Sequence, residues 1–185
     1  TLSSILSRIY VPFGGTLDAI GWLITDEGLN QVLATLASPK AGTLLTNGKY
    51  EIVASFPLGA MYAFFNDKEI DSVADFSGKK ISVLNGDPQA YKLAFLDGAS
   101  PVATSLATFS GQFNNGNLDI LLMPALAYNT FELYNGLGNK GGIIDHRLYY
   151  GMMQTIINKE RFVDKFGDRM RKYDLARVDF IHKIV

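Results

Sequence analysis

SGKKISVLNGDPQAYKLAF, residues 77–95, reads as strand, turn and helix in immediate succession. Lys79 to Leu84 has the β-branched alternation of a strand. Gly86 permits a tight turn and close backbone approach. Pro88 suits the first helical position, where its missing N–H costs nothing. Asp87 then falls at the N-cap and accepts amides of the first turn. It reads both as an ordinary cap and as a ligand contact. A bare helix N-terminus attracts anions. One that already carries a carboxylate is expected to favour a neutral or cationic guest and to repel a second anion.

Outward from this unit, elements alternate. Asp26 is read as the cap of a helix in which Leu29, Val32, Leu33 and Leu36 form one apolar stripe, ended by Ser38-Pro39. Tyr50 to Phe56 and Ala60 to Asn66 read as extended, and Ser72 to Phe76 as one helical turn closed by Gly78. A short strand near Pro101 to Ala103 precedes a helix over 105–113. Strand Leu118 to Met123 leads to a helix over Ala125 to Tyr134, then a glycine-rich loop (Gly136 to Gly142). An extended run from Ile143 to Ile157 and a last helix from about Lys159 to Lys172 follow. This order predicts a mainly parallel α/β sheet covered on both faces. In open α/β sheets ligands bind beyond the carboxyl ends of strands. Leu84 and Met123 are two such ends.

Composition bounds the classes. The chain has 185 residues, formal charge −1 and no cysteine. Its length suffices to bury roughly 70% of the unfolded surface. Near-neutral charge argues against a general nucleic-acid binder, which needs a basic stripe. Lack of cysteine removes disulfides and thiolate chemistry, and fits either cytoplasm or a cysteine-free periplasmic protein. No apolar run reaches the roughly 18–20 residues of a membrane helix. The start, TLSSILSRIYVPFGG, lacks a signal peptide's charged start and cleavage site.

The runs VADFSGKKISV and DGASPVATSLATFSGQFNNGNLDILLMPALAY resemble the second lobe of TRAP-type (DctP-like) periplasmic solute receptors. The matching steps are Asp75-Phe76-Ser77-Gly78-Lys79-Lys80-Ile81, Gly98-Ala99-Ser100-Pro101-Val102 and Asn115-Gly116-Asn117-Leu118-Asp119. A nearer resemblance is to a subgroup of Gram-negative solute-binding proteins, some described as RND-type efflux or aminoglycoside-resistance proteins. It is carried by Gly15 to Gly21, Ala37 to Lys40, Asn66 to Lys68, Phe113 to Gly116, Glu132 to Leu137 and Gly141 to Ile144, and covers about residues 10 to 173. It implies a type II periplasmic-binding-protein-like α/β fold of two lobes, the first incomplete. Residues 1–65 and 150–185 would belong to lobe I and 66–149 to lobe II. Ala60–Asn66 and Leu148–Asn158 would be hinge strands. The chain is expected to be a fragment, lacking the opening strand–helix–strand–helix unit and later C-terminal helices. Ser82 stands where those receptors usually carry an arginine that clamps a carboxylate with two prongs, and a hydroxyl cannot replace that fork. Met123 stands where asparagine is often found.

The resemblance implies capture of a small solute in the periplasm for a membrane transporter. The alternative is an accessory envelope protein linked to drug efflux through protein contacts. Expected polar contacts are Ser82, Asn85 and Asp87, with Tyr62, Met123 and Tyr128 as apolar walls and Gly15 and Thr16 contributing from lobe I. Tyr62 shares a strand face with Phe64 by period two, and core packing competes with the wall reading. Gly14-Gly15-Thr16 is read as a tight turn with free amides, serving a ligand or plain turn chemistry. Of Tyr149 and Tyr150, one is expected to face ligand. No cofactor is expected. His146 and His182 lack the three-ligand spacing of a catalytic zinc site. No G-x-S-x-G elbow exists, so no catalytic residue is assigned. Glu160, Asp164 and Asp168 beside Arg161, Lys165 and Arg169 read as paired stripes on a solvated helix face.

Overall fold

The computed structural model describes residues 2, 3, 7–161, 169, 172, 173 and 176. In chain order the elements are β1 (Leu2–Ser3), a 3-10 helix (Pro12–Asp18), α1 (Asp26–Ala37), a 3-10 turn (Pro39–Ala41), β2 (Thr46–Asn47) and β3 (Tyr50–Phe65). A 3-10 turn (Val73–Phe76), β4 (Lys80–Leu84), α2 (Pro88–Leu96), β5 (Ser100–Thr104) and α3 (Phe109–Asn114) follow. The described chain closes with β6 (Ile120–Pro124), α4 (Ala127–Thr130), α5 (Tyr134–Leu137), β7 (Gly142–Ile143) and β8 (Tyr149–Asn158). The two extended runs expected over 50–66 are one strand. Gly59 within it takes φ +116°, a conformation only glycine adopts freely. The chain forms two compact units, Thr1–Gly59 with Tyr149–Val185, and Ala60–Leu148. The expected last helix lies largely outside the described residues, and His182 lies wholly so.

In the first unit, β1 runs antiparallel to β8 and β2 antiparallel to the start of β3. Helix α1 buries Leu29, Leu33 and Leu36, while Val32 is half-buried at the stripe's edge. Its cap is Thr25, whose hydroxyl accepts the Gly28 amide at 3.1 Å. This corrects the reading of Asp26 as cap: the Asp26 carboxylate accepts the Tyr150 hydroxyl instead. Tyr149 and Tyr150 are both buried, so neither is an exposed wall. The Ser7 hydroxyl donates to Gln154 Oε1 in a buried contact against Gly14, where a Cβ would stand 2.6 Å from Ser7 Oγ.

In the second unit the sheet is mixed. β4 and β5 are parallel, as are β4 and β6, so the expected parallel winding holds for these three strands, while the other described pairs are antiparallel and the sheet is mixed rather than mainly parallel. The end of β3 is antiparallel to both β6 and β7. Both faces are covered, as strands buried on two sides require. Ala63, Phe65, Ile81, Val83 and Ile120 pack on one face with Ala94 of α2 and Tyr91. Phe64 and Leu121 pack on the other with Phe109 and Phe113 of α3, Ala127 and Leu133. Period-two alternation along β3 thus feeds two cores at once.

Helix α2 begins and ends on local signals. The Ala90 amide donates to Asp87 Oδ1 at 3.1 Å, as expected of the cap. At the far end the Ala99 amide reaches back to Ala94 O at 2.9 Å while Gly98 takes φ +71°, a Schellman stop. The helix expected over 125–134 breaks in two. Glu132 adopts φ 52° and the Leu133 amide donates to Tyr128 O at 2.9 Å, which turns Leu133 into the core. The helix expected over 105–113 starts at Phe109, because Ser105 and Thr108 bond each other and their own backbone ahead of it.

Candidate functional site

Because β4 and β6 are parallel neighbours, their carboxyl ends open on the same edge of the second unit. Tyr62 and Met123 are direct cross-strand partners there, on the face that carries Phe64 and Leu121. Tyr128 of α4 packs on the same cluster, with its ring edge-on to Tyr134 at 5.8 Å. All three candidate wall residues are half-buried, so each divides its surface between core and solvent. The structure therefore brings the three walls together.

Ser82 lies in the middle of β4 and points to this same face, since Ile81 and Val83 pack on the opposite one. Its hydroxyl is 2.8 Å from Thr104 Oγ1 on β5. Thr104 is buried, and its hydroxyl also donates to Val83 O at 3.3 Å. Sequence reading missed Thr104. The signal available was the period of β5, which puts Val102 and Thr104 on one side.

Beyond Leu84 the chain turns sharply. The Asn85 amide donates to Thr104 O at 2.9 Å and the Asp87 amide to Leu84 O at 3.1 Å, while Gly86 takes φ +87°. Asn85 is exposed and Asp87 buried. Asp87 accepts the helix amide, which makes it a structural cap. At the opposite end of these strands Asp119 pins the sheet. Its carboxylate accepts the Lys80 amide at 2.8 Å and Asn66 Nδ2 at 3.0 Å. The aspartate of the Asn-Gly-Asn-Leu-Asp step is thus architectural.

Gly15 and Thr16 lie in the first unit, within the 3-10 helix rather than a turn with free amides. The Gly14 amide is used by Val11 O at 3.0 Å, and the Thr16 hydroxyl donates to Phe13 O at 2.8 Å. A Cβ on Gly15 would stand 2.7 Å from Arg8 Cβ, so this glycine makes room for the arginine. Among the described residues no group of three His, Cys, Asp or Glu side chains is placed to hold a metal ion. None of the described helices is long and apolar enough to cross a membrane. The edge formed by Tyr62, Met123, Tyr128, Ser82 and Asn85 offers apolar contact with a few neutral polar groups, as small-molecule sites do.

Solved structures share this architecture. A TRAP periplasmic solute-binding protein of Xanthobacter autotrophicus with bound β-D-galacturonate superposes with TM-score 0.73 at 16% identity, over 99% of this chain and 61% of that one. One from Desulfovibrio salexigens with bound orotic acid gives 0.71 at 15%, over 96% of this chain and 56% of that one. At such identities the likeness establishes fold alone. Among curated proteins, the probable solute-binding protein AdeT1 of Acinetobacter baumannii is 34% identical over 178 residues, 96% of this chain and 59% of its own length. The probable solute-binding protein AdeT2 of the same organism is 27% identical over 159 residues, 86% of this chain and 67% of its own length. The chain thus spans about three fifths of the AdeT1 relative. The model of the solute-binding protein AdeT 1/2 family matches residues 1–185, and the chain belongs to that family.

Proposed function

We propose that this chain binds a small solute, without catalysis, at the carboxyl edge of β4 and β6, and that it does so in the periplasm for a membrane transporter. The observation that carries the reading is the Tyr62–Met123 pair with Ser82 on the same strand face, in a chain matched throughout by a solute-binding family. Tyr62, Met123 and Tyr128 form the walls, and Ser82, Asn85 and Asp87 supply polarity. None of these six is cationic, and Asp87 brings a carboxylate to the edge. Orotate and galacturonate, bound by the neighbours named above, each present a carboxylate. These six offer no positive partner for one, so a neutral or cationic solute fits them better. Nothing described favours the accessory efflux role.

A thermal-shift screen over amino acids, amines, sugars, dicarboxylates and aminoglycosides tests the proposal, with native mass spectrometry of the protein as purified. A ligand at a hundredfold excess over its dissociation constant stabilises by about 2.7 kcal/mol. Stabilisation by an amine, sugar or amino acid that is lost in Tyr62→Ala is the expected result. Tight binding of a small dicarboxylate overturns the charge preference, and silence across the screen overturns the receptor reading.

A further inference from the structure

The hydroxyls of Ser82 and Thr104 form a pair, and a third group, the Val83 carbonyl, lies within reach of Thr104. A hydroxyl has one proton to give and two lone pairs with which to accept. Thr104 Oγ1 donates its proton to Val83 O at 3.3 Å. The 2.8 Å contact between Ser82 Oγ and Thr104 Oγ1 still needs a proton between the oxygens. Either oxygen can supply it; with the Thr104 proton given to Val83 O, it comes from Ser82.

Resting on the receptor reading above, we infer that Thr104 is a positioning residue that turns Ser82 into an obligate acceptor, so the solute presents an N–H or O–H donor at that point. Ser82 has then spent its proton and offers only lone pairs. A carboxylate set against it meets oxygen with oxygen. An ammonium, amide or hydroxyl group of a ligand meets a waiting acceptor. Burial of Thr104 keeps water from taking over its role, and backbone register holds the pair in place, with Leu84 opposite Thr104. Ser82 itself is half-buried, which leaves room for one more partner. The discrimination comes from the direction of a hydrogen bond and needs no charged side chain.

The test compares affinities of wild type, Thr104→Val and Thr104→Ser for two matched pairs of probes, benzylamine with benzoate and glucosamine with glucuronate, by calorimetry. Valine keeps the shape but removes the acceptor, so Ser82 regains a free proton. In wild type the amine of a pair is expected to bind about tenfold tighter or more, the scale of one hydrogen bond to a charged donor. Thr104→Val should narrow that ratio about tenfold, and Thr104→Ser should restore it. A ligand-free arm is NMR of the same protein: a scalar coupling from the Thr104 hydroxyl proton to the Val83 carbonyl carbon is expected. An unchanged ratio in Thr104→Val, or a Thr104 proton directed at Ser82, overturns the inference while the receptor reading stands. No binding of any probe, with the coupling present, sinks the solute reading of this edge and the inference with it.

Discussion

Replacing Asp87 separates its two duties. Its Oδ1 accepts the Ala90 amide at 3.1 Å, and the residue is only 6% exposed. Asp87→Ala removes both the acceptor and the charge. Loss of a cap costs about 1 kcal/mol, up to about 2, and loss of a favourable charge at the helix N-terminus about 0.3–1 kcal/mol more. The sum is about 2 kcal/mol. Asp87→Asn keeps an acceptor oxygen and forfeits only the charge, about 0.3–1 kcal/mol. For a chain of this length each kcal/mol moves Tm by about 2–4 °C, so alanine should lower it by about 6 °C and asparagine by about 2 °C.

A second readout bears on ligand charge. With its carboxylate gone, the start of α2 exposes amides that attract anions. Asp87→Ala should therefore gain more stability from sulfate or succinate than wild type does, relative to chloride at equal ionic strength. Scanning fluorimetry in the three salts measures both effects. Equal Tm for all three proteins would refute the capping argument. Equal stabilisation of wild type and Asp87→Ala by succinate would refute the claim that Asp87 keeps anions off this edge.

Gly141→Ala should be severe, because its Cβ would meet the carbonyl oxygens of Phe65 and, at 2.6 Å, Leu137. Backbone cannot yield as a side chain can, and a loss of about 2–4 kcal/mol in urea unfolding is expected; an unchanged midpoint would count against the local geometry. Asp119→Ala unpairs the Lys80 amide and leaves Asn66 Nδ2 with Leu118 O as its acceptor, for about 1–2 kcal/mol, and the β4 amides should exchange faster with deuterium. The Ser72 hydroxyl, helped by its amide, holds the Asp75 carboxyl below its ordinary 3.8. A lowered carboxyl contributes stability above its unfolded value and loses it as pH falls through its folded value. The turn over Val73–Phe76 should then still be capped at pH 3.8 and open only as pH falls through the lower folded value, and Ser72→Ala should raise the Asp75 midpoint when followed by carboxyl NMR.

Sequence reading succeeded where the signal is local. Asp87 and Pro88 open α2 through their own backbone preferences, and no distant residue needs to be known. The pairing of Tyr62 with Phe64 on one face follows from strand period alone. It failed where a partner lies far along the chain. Asp26 is a sound cap by composition, yet it bonds Tyr150, 124 residues away, and Thr25 caps the helix. The helix after Met123 stops at Thr130 because Leu133 must enter the core beside Phe113, a demand set by another helix. Thr104 escaped notice for the same reason. Its meaning resides in Ser82 and Val83, more than twenty residues back.

In the proposed reading Asp87 and the Ser82–Thr104 pair bias the edge toward the same ligands by different physics, and salt tells them apart. Asp87 acts by charge, which reaches several ångströms and is screened over about 8 Å at physiological ionic strength. Ser82 acts by proton direction, which requires contact at about 2.7–3.2 Å and ignores bulk ions. The preference for benzylamine over benzoate therefore has a part that fades as sodium chloride rises from about 0.05 to 0.5 M and a part that does not. Asp87→Asn should abolish the fading part and spare the rest. Thr104→Val should do the reverse. If both variants remove the same salt-sensitive share, the preference is electrostatic throughout and the hydroxyl pair is merely a strand-to-strand bond. If neither share responds to its own variant, the ligand contacts some other edge of the fold.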